Sequence, residues 1–422
     1  MRHRTLSALL ALAFLLASPF SATRAQTPSA DSAKAFEIIE GQVRSEDSSL
    51  DSIAESASSG VALSKAQSQR LRDALEQRLR QETREAFRAP WEQRQLVHEQ
   101  WKMPFYFKTF GEKPAEGWSL YLSMHGGGGT LPRVNDQQWE NQKRLYTPDE
   151  GIYCAPRAPT NTWNLWHQPH IDVLFDQLIQ CMVAFEDVNW DRVYLMGYSA
   201  GGDGVYQLAP RMADRWAAAS MMAGHPNGAS PLNLRNVPFT LQVGGRDSAY
   251  KRNQVAEQWR TQLAELRNED PRGYDHFVRI YPNMGHWMQR RDAVAVGWMA
   301  ERTRQPVPKK LVWRIDQQSH PTFYWLAVTE KPTKTTIVRA EVEGQSIEIT
   351  TDEITADEID EVTLLLDDRL LDLDQEITVR WGADVCFSGK VTRNAANLIR
   401  SLTQRGDPRL AFPARVTVAR PQ

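Results

Sequence analysis

The sequence predicts an α/β fold in which helices cover both faces of a mostly parallel sheet, followed by a small all-β module. Three observations lead to this prediction. Short apolar runs alternate with helical segments between residues 103 and 304, as is typical of a parallel sheet. One of these apolar runs is followed by a glycine-rich turn and then by a helical segment. After residue 308 short runs are separated by turn residues, which favours a β-sandwich.

Length and charge limit the classes of protein that the chain can belong to. At 422 residues, of which 41% are hydrophobic, it is long enough for two domains. The net charge is -2 and the two signs are interspersed, so nothing favours a nucleic-acid or anionic-membrane partner. The oligomeric state stays open.

The first 25 residues have the pattern of a secretory signal peptide. Arg2 and Arg4 precede an apolar run over 6–17, and small residues suited to cleavage lead up to Ala25. No later stretch is long and apolar enough to span a membrane. We therefore expect a secreted or periplasmic protein without a membrane anchor.

The residues before the sheet divide into two segments. Residues 26–60 are rich in Ser, Ala, Asp and Glu, which predicts a linker or loosely ordered lead. Residues 61–102 form an N-terminal helical segment, with an amphipathic helix that Ser64 caps and Pro90 ends.

Secretion would permit disulfides, but the chain has only three cysteines, Cys154, Cys181 and Cys386. Cys154 lies in a strand-like run and Cys181 in a helix-like one. Both are predicted to be buried core residues rather than a bridge.

Elements in residues 103–304 are predicted from apolar periodicity. The runs 105–110 and 118–124 flank a glycine-containing turn and predict a hairpin leading into the sheet. Further strands are predicted at 152–155, 193–196, 217–222, 238–243 and 277–281, and helices at 172–185, 202–208, 250–266 and 292–303. Ligands bind beyond the carboxyl ends of such strands.

Ser199 is the candidate nucleophile. The run 193–196 leads into Gly197-Tyr198-Ser199-Ala200-Gly201, a G-x-S-x-G pattern between a predicted strand and a predicted helix. Such a turn holds a serine out at the edge of a sheet. The alternative interpretation is a glycine-rich turn without a chemical role.

A nucleophilic serine needs a base, a carboxylate to orient that base, and donors for an oxyanion. His286 and Asp247 each follow a predicted strand, and they are the candidate base and acid. Asp203 and Asp292 are rival acids in less suitable positions. The candidate oxyanion donors are the N–H groups of Ala200 and of the glycine loop after His125, namely Gly126, Gly127 and Gly128.

The chain order Ser199, Asp247, His286, with the H-G-G-G loop upstream, resembles the α/β-hydrolase superfamily. The resemblance covers about residues 103–304. Within the superfamily the chain looks most like secreted bacterial esterases of the polyhydroxybutyrate depolymerase, feruloyl esterase and dienelactone hydrolase groups, with prolyl oligopeptidase catalytic domains as further cousins. This resemblance implies a Ser-His-Asp acyl-enzyme mechanism without a cofactor.

Four residues near the predicted site are candidates for substrate binding: Trp163, Trp166, His225 and Trp287. They follow strands whose carboxyl ends should meet at the same edge. The alternative is that the tryptophans belong to the core.

Two other polar clusters offer metal ligands. His167 and His170 lie close together, but no acidic residue or cysteine joins them at ligand spacing, so no metal is expected. The aspartates 367, 368, 372 and 374 do not have EF-hand spacing and predict a solvated turn.

The function predicted from these residues is hydrolysis of a small-molecule or polymeric ester. A serine peptidase of prolyl oligopeptidase type and a non-catalytic binding protein on the same fold are the alternatives. The β-rich C-terminal module, residues 309–422, supplies no reacting group, and residues 306–308 are predicted to link two separately cored units.

Overall fold

The computed structural model describes residues 30–45, 47–56 and 61–421. The predicted signal peptide, residues 1–25, lies outside them. None of the helices in these ranges has the length and apolar character needed to cross a bilayer.

Three helices precede the sheet: α1 (Ala30–Arg44), α2 (Leu50–Ser56) and α3 (Lys65–Glu92). Ser64 caps α3 as predicted, since its hydroxyl accepts from the Gln67 N–H and the Gln67 side chain accepts from the Ser64 N–H. Pro90 does not end the helix but lies in its last turn, where a missing N–H removes a single intrahelical bond.

The described part of the lead segment, predicted as a linker, is helical instead. Phe36, Ile39 and Val43 recur at helical spacing on α1 and are buried. They belong to a cluster that also contains Leu75 of α3 and Leu402 near the C-terminus. Composition alone misses this, because the surface that covers α1 is supplied mainly by α3, which lies outside the lead segment.

An eight-stranded sheet forms the centre of the molecule. Its strands are β1 (Gln95–His98), β2 (Trp101–Phe110), β3 (Trp118–Met124), β4 (Gly151–Pro156), β5 (Val188–Tyr198), β6 (Ala218–Met222), β7 (Phe239–Gly244) and β8 (His276–Tyr281). The spatial order is β1-β2-β4-β3-β5-β6-β7-β8. All pairs from β4 to β8 are parallel, and β1 and β2 add an antiparallel edge.

The predicted hairpin between residues 105–110 and 118–124 is wrong. Strand β4 lies between β2 and β3, pairing antiparallel with the first and parallel with the second. The hairpin is formed by β1 and β2, so the sheet begins at Gln95, inside the segment predicted to be helical. A turn signal between two runs does not reveal a third strand that arrives later in the chain.

Helices cover both faces of the sheet, which confirms the predicted fold class. They are α4 (Pro132–Gln142), α5 (Pro169–Glu186), α6 (Ala200–Arg211), α7 (Arg252–Glu269) and α8 (Val294–Ala300). Leu122 and Leu195 point into the cluster that contains α5, α6 and α7 residues. Their chain neighbours Tyr121 and Tyr194 point into the cluster that contains α8. This alternation follows from the two-residue period of a strand.

The C-terminal module has two sheets. One contains β9 (Lys310–Ile315), β12 (Thr336–Glu343), β13 (Ser346–Thr351), β15 (Ile377–Trp381) and β16 (Asp384–Gly389); the other contains β10 (Thr322–Phe323), β11 (Leu326–Ala327), β14 (Glu361–Leu366) and β17 (Ala414–Ala419). The module also contains one helix, α9 (Ala395–Arg405), which packs against α2 and α3.

The module is not cored separately from the central domain. One hydrophobic cluster includes Leu234 before β7 and Leu311 of β9. The Asn233 side chain accepts from the Arg314 N–H at 2.6 Å, and Arg304 Nη1 lies 2.6 Å from Asp407 Oδ2, both side chains being buried. Residues 306–308 therefore join two parts that share one core.

The cysteine interpretation agrees with the structure. Cys154 and Cys181 are buried free thiols, and Cys386 is a partly exposed one. Burial raises the pKa of the Cys181 thiol to about 12, as expected for a core residue.

Candidate active site

Ser199 occupies the sharp turn between β5 and α6. Its backbone has φ 59° and ψ -122°, a conformation that non-glycine residues rarely adopt. The turn is held by the Ser199 N–H, which donates to Met222 O at 2.9 Å. A Cβ on Gly197 would collide with the backbone of Gly201, and one on Gly201 with the backbone of Met124. The glycines are therefore required for the turn that places Ser199 at the carboxyl edge of the sheet.

The structure brings together the three residues predicted from chain order. His286 Nε2 lies 3.0 Å from Ser199 Oγ, and His286 Nδ1 lies 2.7 Å from Asp247 Oδ2. The Asp247 side chain is only 1% exposed, whereas that of His286 is 43% exposed. A buried carboxylate thus orients an imidazole whose other nitrogen faces the hydroxyl. This arrangement can move a proton from Ser199 to a leaving group through His286.

The rival carboxylates lie elsewhere. Asp203 accepts from the His225 N–H at 2.6 Å and from the Asn227 side chain at 3.2 Å. Asp292 is fully buried and accepts from the Tyr146 hydroxyl. Burial raises the pKa of both carboxyl groups. Neither one hydrogen-bonds to His286 in the described part of the chain.

The glycine loop lies beside the serine. A Cβ on Gly126 would come within 3.1 Å of the Ser199 Cβ, so the loop approaches more closely than a larger residue could. The N–H of Gly128 is already used, because it donates to Asn135 Oδ1 at 2.7 Å. This corrects the prediction that Gly128 is an oxyanion donor. Gly126, Gly127 and Ala200, the first residue of α6, remain as candidates.

His125 holds this loop through both of its ring nitrogens. Its Nε2 accepts from the Ala158 N–H at 3.1 Å, so the hydrogen is on Nδ1, which lies 2.6 Å from Gly126 O. The side chain is fully buried, and burial lowers the pKa of His125 to about 3. A neutral imidazole with both nitrogens engaged fixes the first turn of the loop.

Asn135 is a site residue that sequence reasoning missed. It lies on α4, a polar helix that the periodicity does not predict, and it is fully buried. Its Nδ2 donates to Asn161 Oδ1 at 2.9 Å, and Arg157 Nη2 donates to the same oxygen at 2.5 Å. This network anchors Gly128. The proline at the start of α4 was the available local signal.

Tyr198 is a second residue that was missed, although it lies inside the G-x-S-x-G pattern. Its hydroxyl donates to His286 O at 2.6 Å and accepts from the Met288 N–H at 3.0 Å. Burial raises the pKa of this hydroxyl. The residue before Ser199 thus holds the loop that carries His286.

Two cavities meet at the glycine loop. The larger, of about 730 Å³, is lined by Ser199, His286, Tyr198 and Trp287, among others. The smaller, of about 400 Å³, is lined by residues that include Gly127, Ala200 and Arg252. A substrate bound across the loop would reach into both.

The predicted substrate-binding residues divide between these cavities and the core. Trp287, 52% exposed, lines the larger cavity. Trp163, 63% exposed, and His225 line the smaller one. The prediction that Trp166 lines the pocket is wrong, because Trp166 is fully buried and donates from Nε1 to His125 O at 2.9 Å. A sequence cannot distinguish these two tryptophans, since both lie in the same loop.

The other polar clusters contact neighbouring side chains, although Nε2 of His167 and Nε2 of His170 have no hydrogen-bond partner among the described residues. The His170 ring stacks on Trp101 with centroids 4.1 Å apart. Asp367, predicted to lie in a solvated turn, is instead buried and paired with Arg72 and Arg369, while Asp368 pairs with Arg393. Across the described ranges no three His, Cys, Asp or Glu side chains converge as metal ligands.

Comparison with known proteins gives only weak likenesses. No protein-family model and no curated protein matches the chain. Among solved structures, a thermostable esterase is 15% identical over 50% of this chain with a TM-score of 0.37, and the chain spans 62% of that protein. A Bacillus cereus carboxylesterase is 14% identical, with a TM-score of 0.34, and the match covers 47% of this chain and 93% of the carboxylesterase. A ferulic acid esterase is also 14% identical, with a TM-score of 0.31, and the match covers 47% of this chain and 97% of the esterase. Identities and TM-scores this low do not support a conclusion about function, which therefore rests on the geometry of the site.

Proposed function

We propose that the protein is a serine hydrolase that cleaves carboxylic esters through an acyl-enzyme. The observation that carries this proposal is the position of His286, with one ring nitrogen 3.0 Å from Ser199 Oγ and the other 2.7 Å from Asp247 Oδ2. A serine with a base at this distance, and a base held by a buried carboxylate, is the arrangement that activates a hydroxyl as a nucleophile.

In the first half of the reaction, Ser199 Oγ attacks the ester carbonyl carbon and its proton passes to His286 Nε2. Asp247 stabilises the imidazolium that forms. The carbonyl oxygen becomes an oxyanion, for which the N–H groups of Ala200 and of Gly126 or Gly127 are the donors. Collapse of this intermediate breaks the bond to the alkoxy oxygen, which leaves as an alcohol with the proton from His286.

In the second half, a water molecule attacks the acyl-enzyme. His286 Nε2 accepts the proton of that water, and a second oxyanion forms in the same position. Its collapse returns the proton to Ser199 Oγ and releases the carboxylic acid. Every group needed lies between Gly126 and His286, so the C-terminal module contributes no reacting group, and no metal or cofactor is used.

The alternatives are less well supported by the site. A binding protein without catalysis does not need a strained serine turn that places Ser199 Oγ beside His286 Nε2. Peptide hydrolysis uses the same chemistry, so substrates have to decide between an esterase and a peptidase. Secretion, proposed from residues 1–25, is independent of this choice.

A substrate panel tests the proposal. We expect the purified protein to hydrolyse p-nitrophenyl esters, or feruloylated or acetylated polysaccharides, faster than aminoacyl anilides, and a fluorophosphonate probe to label Ser199. Ser199→Ala should abolish labelling and lower kcat by about 10⁶. Ser230→Ala, which removes a hydroxyl that lines neither site cavity, is the matched control. Undiminished turnover in Ser199→Ala would overturn the proposal, and a preference for anilides would make the protein a peptidase.

A further inference from the structure

The smaller cavity contains a buried arginine without a hydrogen-bond partner. Arg252 is 9% exposed, and its Nε is buried without an acceptor. Within the described chain its nearest carboxylate oxygen is Asp247 Oδ1, 3.9 Å from Nη1, which is beyond hydrogen-bonding distance. Buried guanidinium groups are normally paired and hydrogen-bonded, because an unsatisfied charge is costly.

Other buried arginines of this protein follow that rule. Arg304 binds Asp191 and Asp407 at 2.8 and 2.6 Å, and Arg405 pairs with Asp214. Nε of Arg405 also lacks an acceptor, but Arg405 hydrogen-bonds through both of its Nη atoms. Arg252 differs because none of its side-chain nitrogens donates a hydrogen bond to a described residue, and its guanidinium lies over the Tyr250 ring, 4.9 Å from the ring centroid. We call the cavity that Arg252 lines the Arg252 cavity.

The charges that line the Arg252 cavity favour an anion. Lys251 is exposed beside Arg252 and adds a second positive charge. The carboxylate among the lining residues is that of Asp203, which already accepts from the His225 N–H and the Asn227 side chain. The side chains that line the cavity thus carry two cations and one carboxylate, and Asp247, which is 3.9 Å from Arg252 Nη1, pairs with His286 and does not line the cavity. A planar guanidinium binds a carboxylate through two parallel hydrogen bonds.

The position of the cavity indicates which part of a substrate enters it. The leaving alcohol takes its proton from His286 Nε2, and His286 lines the larger cavity. Gly127 lines both cavities, whereas Ala200, another candidate oxyanion donor, lines the Arg252 cavity and not the larger one. An acyl chain that extends away from His286 past these donors would enter the Arg252 cavity.

We propose that the acyl part of the preferred substrate carries a second carboxylate, which Arg252 and Lys251 bind, so that the protein hydrolyses half-esters of dicarboxylic acids. This inference rests on the proposed ester hydrolysis. It assigns the alcohol to the larger cavity and the free carboxylate to the Arg252 cavity.

The test compares esters that differ only in that carboxylate. Monoethyl succinate, glutarate and adipate are measured against ethyl butyrate, valerate and hexanoate by ethanol release. We expect the wild type to have a higher kcat/KM for at least one half-ester than for the neutral ester of equal length. In Arg252→Gln the ratio of the two kcat/KM values should fall about 10- to 100-fold, the range for a hydrogen bond to a charged group.

Three variants and an inhibitor complete the design. Arg252→Lys keeps a charge and should recover part of the ratio, and the exposed Lys251→Gln should lower it less than Arg252→Gln. Arg246→Gln, an exposed cation that lines neither cavity, should leave it unchanged. If Arg252→Gln does not fold, inhibition of the wild type by free glutarate or adipate but not by valerate or hexanoate still supports the proposal.

The contrary outcomes are distinct. Equal loss on charged and neutral esters in Arg252→Gln would show that Arg252 acts through Asp247, and would overturn the inference. So would a wild type that has no preference for half-esters, or one that turns over ethyl 6-hydroxyhexanoate as well as monoethyl adipate. If no ester of any kind were hydrolysed, the proposed function itself would fail, and this inference with it.

Discussion

The hydroxyl of Tyr198 donates a hydrogen bond to the backbone carbonyl oxygen of His286, 2.6 Å away. The same hydroxyl accepts from the Met288 N–H, so the backbone at His286 and at Met288 is tied to one side chain. Tyr198 is the neighbour of Ser199 in the chain. The strand that positions the proposed nucleophile therefore also positions the proposed base.

Tyr198→Phe should lower kcat by about tenfold or more with a smaller change in KM, because a small displacement of His286 is costly to catalysis. The matched control is Tyr194→Phe on the same strand, whose hydroxyl donates to Arg302 O at 2.8 Å, away from the site. Each variant should lose about 1 kcal/mol of stability. Steady-state kinetics and urea unfolding measure both effects. Equal kcat values in the two variants would show that the Tyr198 bond serves stability alone.

Replacing the carboxylate that contacts His286 should be far more harmful than replacing its rivals. We expect Asp247→Asn to lower kcat by about 10⁴, because the amide favours the wrong imidazole tautomer. Asp203→Asn and Asp292→Asn should fall far short of that loss, since these groups bond to His225 and Tyr146 instead. Kinetics are compared at temperatures where all three variants are folded. If Asp292→Asn had the largest effect, the acid would be misassigned.

Stability should decrease as the pH falls from about 6.5 towards 4.5. Burial lowers the pKa of His125 to about 3 and that of His167 to about 4, so in this window the unfolded chain binds protons that the folded protein does not. The free energy of unfolding then drops by about 1.4 kcal/mol per pH unit for each such group. Urea unfolding between pH 4.5 and 6.5 measures the slope, and His167→Gln should reduce it. An unchanged slope would mean that His167 is protonated in the folded state.

The contact between the central domain and the C-terminal module depends on a buried charge cluster. Asp214 pairs with Arg405 and Arg215 and accepts from the Tyr324 N–H at 3.0 Å. These positive neighbours hold the pKa of the Asp214 carboxyl below its usual range despite burial.

Asp214→Asn should destabilise the protein by about 3–5 kcal/mol, since it leaves buried arginines uncompensated. It should leave kcat of the folded protein unchanged. The control is Asp275→Asn, which removes an exposed partner of Arg302, 3.3 Å away, and should cost no more than about 1 kcal/mol. Denaturant unfolding separates the two. Similar losses in both variants would argue against a buried network at this boundary.

The sequence predicted the proposed reacting residues better than the residues that hold them. Ser199 was found because its turn requires glycines at 197 and 201, and these glycines are within two residues of Ser199 in the sequence. Asp247 and His286 were found because each follows a run recognisable as a strand. Asn135 and Tyr198 were missed because a buried polar side chain has the same local pattern as a solvated one.

What the sequence determined by itself is most of the strands and helices of the central sheet and the edge of that sheet at which Ser199, Asp247 and His286 lie, since periodicity and turn residues act over a few positions. Tertiary structure decided the rest. It placed β4 between β2 and β3, buried Trp166 while leaving Trp163 exposed, and left Arg252 buried without a hydrogen-bond partner beside Ala200. Each of these outcomes depends on contacts between residues far apart in the chain. Burial and hydrogen-bond satisfaction are therefore properties of the packed molecule, and no short segment encodes them.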